Sequence, residues 1–180
     1  MKRITFLFLA IFSLFFAQAQ KGNNQLGVGL DVGVPLGDFG DAFGTGIGGS
    51  AKLLLGVGTS GQVTFTTGYM TFNAKDMPSG MDISANIIPF LLGYRHNLSG
   101  IYIEPQAGYG IYGSKISGMG SPYDGTDSEG AFTWAIGAGY AMNPGLDLGV
   151  RYQGGTKEGD SNNLIGLSLR WNFALGGGAQ

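Results

Sequence analysis

The sequence has no cysteine, which excludes disulfide staples and zinc–thiolate sites as sources of stability. It is also sparing with charge, at 12% of residues, and has no basic patch of the kind that binds nucleic acid. Beyond the first nineteen residues there is no run of eighteen apolar residues, so no helix is predicted to cross a membrane. Stability must then come from backbone pairing and packing, and a closed sheet supplies both.

The N-terminus reads as an address. Lys2 and Arg3 precede an apolar run from Ile4 to Phe16, followed by Ala17-Gln18-Ala19, which predicts a secretory signal peptide over residues 1–19. Without Lys2 and Arg3 the chain has eight basic against twelve acidic residues, a formal charge near −4.

Glycine is abundant, 35 of 180 residues, yet it has no collagen period and sits inside alternating segments. The clearest of these runs from Leu164 to Phe173. There Ile165, Leu167, Leu169, Trp171 and Phe173 fall on one face, and Leu164, Gly166, Ser168, Arg170 and Asn172 on the other. Similar segments at 25–34, 45–55, 62–72, 83–94, 101–112, 131–140, 146–153 and 164–173 predict eight strands. Their connections alternate in size, long and acidic near 35–44, 73–82, 113–130 and 154–163, short at 56–61, 95–100 and 141–145. Outer-membrane barrels have that pattern, with short periplasmic turns and longer external loops.

Alternation alone does not say which face points inward, so a soluble lipocalin-like ligand-binding barrel is the competing reading. The polar face argues for the membrane barrel. It pairs glycine with a few charges, as in Gly27, Gly29, Asp31 and Gly33, or Gly46, Gly48 and Lys52. A narrow eight-stranded interior has room mainly for small residues and a few long ones. The apolar face also places Tyr69, Tyr109, Phe132, Trp134, Tyr140, Tyr152, Trp171 and Phe173 near strand ends, where amphipathic rings suit the headgroup level. The fourth strand loses its alternation around Ile87-Ile88-Pro89-Phe90-Leu91-Leu92, which predicts a bulge near Pro89, with Pro89 nearly opposite Pro105.

These features resemble the small eight-stranded outer-membrane β-barrel family of the OmpX and OmpA barrel type. The resemblance rests on the signal peptide, Val34-Pro35-Leu36-Gly37-Asp38-Phe39, Ile103-Glu104-Pro105-Gln106-Ala107-Gly108-Tyr109, and the terminal Leu169-Arg170-Trp171-Asn172-Phe173. It implies an all-β, antiparallel up-and-down transmembrane barrel over residues 20–173, located in the outer membrane of a Gram-negative cell. Leu169, Trp171 and Phe173 resemble the aromatic-ended signal read by the barrel assembly machinery. In many relatives the aromatic is the final residue, whereas here residues 174–180 follow as an expected short disordered tail. Outer-membrane lipid, lipopolysaccharide and the assembly machinery are the implied partners, with the chain a monomer.

Six charges are placed on the inward face: Asp31, Lys52, Glu104, Asp147, Arg151 and Arg170. Lys52, Glu104 and Arg170 lie at similar distances from the short-turn ends of their strands, so they are expected at one depth in a buried ionic layer. Such a layer is a structural plug or the gate of a narrow porin-like channel for small solutes. No enzyme is expected. The single histidine, His96, is assigned to a short periplasmic turn, and no G-x-S-x-G surrounds a serine.

No cofactor, catalytic residue or metal site is assigned. Asp38, Asp41, Asp76, Asp82, Asp124, Asp127, Glu129, Glu158 and Asp160 make the external loops acidic. They do not match the EF-hand spacing, and a solvated role is expected. Gly44-Thr45-Gly46-Ile47-Gly48-Gly49 opens a strand rather than a helix, which removes the helix N-terminus a phosphate loop requires. The predicted function is a structural or surface-interaction role in the cell envelope.

Overall fold

The computed structural model describes residues 23–75, 82–117, 125–157 and 160–175; the predicted signal peptide over residues 1–19 and the expected tail at 176–180 lie outside them. The alternating segments form strands β1 (Gln25–Leu36), β2 (Gly46–Val57), β3 (Gly61–Asn73), β4 (Asp82–Leu98), β5 (Ile101–Ser117), β6 (Gly125–Ala141), β7 (Leu146–Lys157) and β8 (Asp160–Ala174). Each pairs antiparallel with the next, and β8 returns to β1 to close the barrel. The closing seam runs from Gln25↔Ala174 to Leu36↔Asn163, so Ala174 belongs to β8 rather than to a tail. Leu175 still donates its N–H to the Asn24 carbonyl at 2.7 Å. No helix among the described residues is long and apolar enough to cross a membrane.

Outward residues form an apolar belt, with Leu30, Ile47 and Leu92 at 70%, 65% and 62% exposure. Tyr69, Tyr109, Phe132, Trp134, Tyr140, Trp171 and Phe173 are exposed with them. A soluble ligand-binding barrel has the reverse arrangement, so the lipocalin-like reading fails on the direction of the apolar face.

The short turns are shorter than the sequence predicts. Leu98 pairs with Ile101, leaving Ser99 and Gly100 as a two-residue turn with φ of 56° and 99°. Positive φ at both central positions matches the right-handed twist of the flanking strands. Residues 95–98 are therefore strand, and His96 is not in a turn. It projects outward beside Tyr94, with ring centroids 6.4 Å apart.

At the other end, β4, β5 and β6 each run 17 residues, well past the nine to eleven or so that cross a bilayer. Most of the predicted 113–130 loop is therefore a continued hairpin. Its polar residues hid it from a hydrophobicity reading, because backbone pairing needs no apolar face once the strand leaves the hydrocarbon. The first loop contains a short helix, α1 (Asp38–Ala42), tied down by Lys75, whose N–H donates to the Ala42 carbonyl at 3.0 Å.

Pro89 makes no bulge. On β3–β4 the pairs Thr67↔Phe90 and Met70↔Ile87 keep one register across a gap at Gly68 and Tyr69, where the proline has no N–H to donate. Pro89 lies opposite Gly110, not Pro105. On the same β4–β5 ladder, Gly93↔Gln106 and His96↔Ile103 share a register across the gap at Pro105. The two missing donors thus interrupt separate ladders. The expectation failed because it assigned residues 95–98 to a turn, which misplaced the pairing by several rungs.

Candidate functional site

Alternation sends Ser50 and Lys52 of β2, Thr64 and Thr66 of β3, Arg95 of β4, Tyr102, Glu104 and Gln106 of β5, Asp147 of β7, and Arg170 and Asn172 of β8 into the lumen. All of these are buried. Glu104 is one centre. Its carboxylate accepts from Lys52 Nζ and Thr64 Oγ1, both at 2.7 Å, and from Gln106 Nε2 at 3.0 Å. Arg95 Nε and Nη2 reach the same carboxylate at 3.4 Å.

Asp147, fully buried at 0% exposure, is the second centre. It accepts from Arg95 Nη1 at 2.7 Å, Tyr102 OH at 2.8 Å and Asn172 Nδ2 at 3.2 Å. Arg95 therefore bridges the two carboxylates while its guanidinium lies 3.6 Å from the centroid of the Tyr102 ring. The bridge links β4 to both β5 and β7 across the interior. Charge-assisted bonds of this kind offset part of the desolvation that a lone buried ion would suffer.

Of the six charges assigned inward from sequence, Lys52 and Glu104 meet directly at 2.7 Å. Arg170 lines the same small void as Lys52 and Glu104 but bonds to other partners. Its Nη2 donates to Ser50 Oγ at 2.9 Å and lies 3.9 Å from Asp31 Oδ1, and its Nη1 lies 4.0 Å from Asp147 Oδ1. Arg151 borders two small voids, one shared with Asp31 and Gln153, the other with Lys52, Glu104 and Arg170. Its Nε is buried without a hydrogen-bond partner.

Arg95 was missed. Its signal was present, because the alternation Leu91, Gly93, Arg95 against Leu92, Tyr94, His96 continues past residue 94. Charge at a predicted strand end led to a turn assignment instead. With Arg95 the interior holds four bases and three acids among the described residues.

Toward the long-loop end the interior changes character. Met70, Phe72, Ala85, Ile87 and Leu164 form a buried apolar cluster, closed from above by Phe39 of α1. Phe39 meets Phe72 edge-on with centroids 5.1 Å apart. The lost alternation of β4 follows from apolar residues on both faces: Ile87 of this cluster and Leu91 beyond it are buried inward, while Phe90 and Leu92 are exposed outward. Glycine makes room for it: a Cβ on Gly46 would strike the Phe72 ring and stand 2.7 Å from the Thr71 carbonyl oxygen.

Leu169, Trp171 and Phe173 all face outward on β8. Asp38 and Asp41 lie on α1, Asp82 opens β4, and Asp127 and Glu129 lie on β6. Asp76, Asp124 and Glu158 fall outside the described residues. No group of three or more acidic, histidine or cysteine side chains suited to a metal ion occurs among the described residues.

The family model for the outer membrane protein beta-barrel domain matches residues 6–173. Similar solved structures include Ail, the attachment invasion locus protein of Yersinia pestis, at 13% identity and TM-score 0.63, covering 84% of this chain and 99% of that one. The N-terminal β-barrel domain of Pseudomonas aeruginosa OprF shows 14% identity and TM-score 0.55, over 85% and 100% of the two chains. Neisserial surface protein A shows 17% identity and TM-score 0.54, over 83% and 94%. At these identities the likeness is one of fold. No curated protein sequence matches the chain.

Proposed function

Because this chain belongs to the outer membrane protein β-barrel family, and is thus an outer-membrane barrel, we propose that it works as a closed, non-enzymatic envelope protein with a structural or surface-interaction role. The observation that carries this reading is the double closure of the lumen. An ionic layer fills the short-turn half and an apolar cluster the long-loop half, and the two voids beside Arg151 measure only about 10 and 20 Å³. A volume of that order holds about one water molecule. In this reading the ionic layer fixes strand positions, and Leu169, Trp171 and Phe173 serve recognition by the barrel assembly machinery.

His96 stands outside the wall against Tyr94, on the opposite face from Glu104 and Asp147, which supports the non-enzymatic reading. Ail has been solved in complex with the heparin analogue sucrose octasulfate. The present chain suits such an anion poorly, since the described residues of its long-loop end include six acidic ones against Lys75, Lys115 and Lys157.

A second reading is a narrow conduit, favoured by the position of Arg151 between the two voids. Membrane fractionation with electrophoresis before and after boiling tests the membrane barrel, with outer-membrane recovery and a heat-dependent mobility shift expected. Planar-bilayer recordings of wild type and Glu104→Ala separate the two readings. Silence in both is expected of the closed barrel, and discrete channel events in wild type would establish the conduit.

A further inference from the structure

One cavity is much larger than the voids of the lumen. A recess of about 250 Å³ opens at the long-loop end. Phe39, Phe43, Ile87 and Tyr112 give it an apolar, largely aromatic wall, and Asp127 and Glu129 stand on its polar side. Phe43 and Tyr112 pack against the buried cluster beneath, so the wall is braced rather than loose.

Three properties coincide there. Aromatic surface favours an apolar body that leaves water, at roughly 25 cal/mol per Å² removed. Ring faces and carboxylates both attract positive charge. Among the described residues this end also has six acidic residues, Asp38, Asp41, Asp82, Asp127, Glu129 and Asp160, against Lys75, Lys115 and Lys157, a formal charge near −3, which raises the local concentration of cations and repels anions.

We propose that this recess binds a small organic ammonium ion with an aromatic or short alkyl body. The body lies against Phe43 and Tyr112, and the ammonium group faces Asp127 and Glu129. A neutral molecule of the same shape gains the apolar contact without the charge, and an anion is disfavoured by the carboxylates. The volume sets an upper size below that of most drug-like ligands, whose pockets start at about 300 Å³.

The inference rests on the reading that this end faces the outside, and its test separates the two. Benzyltrimethylammonium would be titrated into the full chain in phospholipid nanodiscs while amide shifts are followed by NMR, with benzyl alcohol and benzenesulfonate as neutral and anionic counterparts. Saturable shifts at Ala85, Ile87 and Gly113 are expected for the cation, with the alcohol weaker by about five- to tenfold, the effect of one favourable charge contact. The Asp127→Asn, Glu129→Gln double variant is expected to weaken the cation about fivefold and leave the alcohol unchanged. Phe43→Ala is expected to weaken both.

Equal affinity for all three probes, or shifts spread over the lipid-facing belt, would overturn the proposal. Binding in nanodiscs does not depend on orientation in the cell, so protease shaving of intact cells tests orientation separately. Cleavage of the β5–β6 hairpin with a flat titration would sink the recess alone, whereas saturable binding without cleavage would sink only the outward orientation.

Discussion

The two halves of the interior fill the same barrel with different materials. In the short-turn half, Lys52, Arg95, Glu104 and Asp147 hold one another by directed bonds of 2.7 to 3.4 Å. In the long-loop half, Phe72, Met70, Ile87 and Leu164 fill space by shape. Directed bonds specify which strand sits where, because each donor has a limited set of acceptors in reach. Packing tolerates small adjustments but penalises empty volume. The ionic half should therefore fail abruptly when one member is lost, and the apolar half more gradually.

Glu104→Ala should give the largest loss, about 3–5 kcal/mol, because Lys52 and much of Arg95 are left buried without a counter-charge. Urea unfolding in phospholipid vesicles would measure it, and a loss smaller than that of the apolar variants would invert the comparison. Adding Lys52→Met to Glu104→Ala should recover part of the loss, and a strictly additive double variant would mean the pair is not coupled. Phe72→Ala should follow at about 3 kcal/mol, the lower end for a buried phenylalanine, since Phe39 on the short α1 can settle toward the space. Gly46→Val tests the same half from the opposite direction; overpacking against Phe72 should cost about 1–3 kcal/mol, read as a lower midpoint of thermal unfolding. Asp38→Asn, on the exposed face of α1, should stay within about 0.5 kcal/mol and serves as the baseline.

The strands were legible because one face is apolar and the other is not, and β8 shows this at its clearest from Leu164 to Phe173. Where that contrast vanished, so did legibility. In β4 apolar residues line both faces, and Ile87 and Leu91 could not be recognised as inward. In β5 and β6 both faces are polar beyond the hydrocarbon, and the hairpin passed for a loop. The inward charges of five strands followed from parity alone. Their partners did not, since contacts such as Arg95 to Asp147 span the barrel and depend on rotamers that no spacing encodes. Arg95 itself was lost to a turn assignment, although only Ser99 and Gly100 have the positive φ that the turn requires.

The seam between β1 and β8 joins the two ends of the barrel sequence, with Gln25 beside Ala174. Every other neighbouring pair is local in the chain, so seven ladders can grow hairpin by hairpin while the eighth waits for the last strand. Until it forms, the sheet has two raw edges, each able to capture another strand. Residues 160–174 thus act as the clock of folding: their arrival turns an open, association-prone sheet into a ring with no beginning.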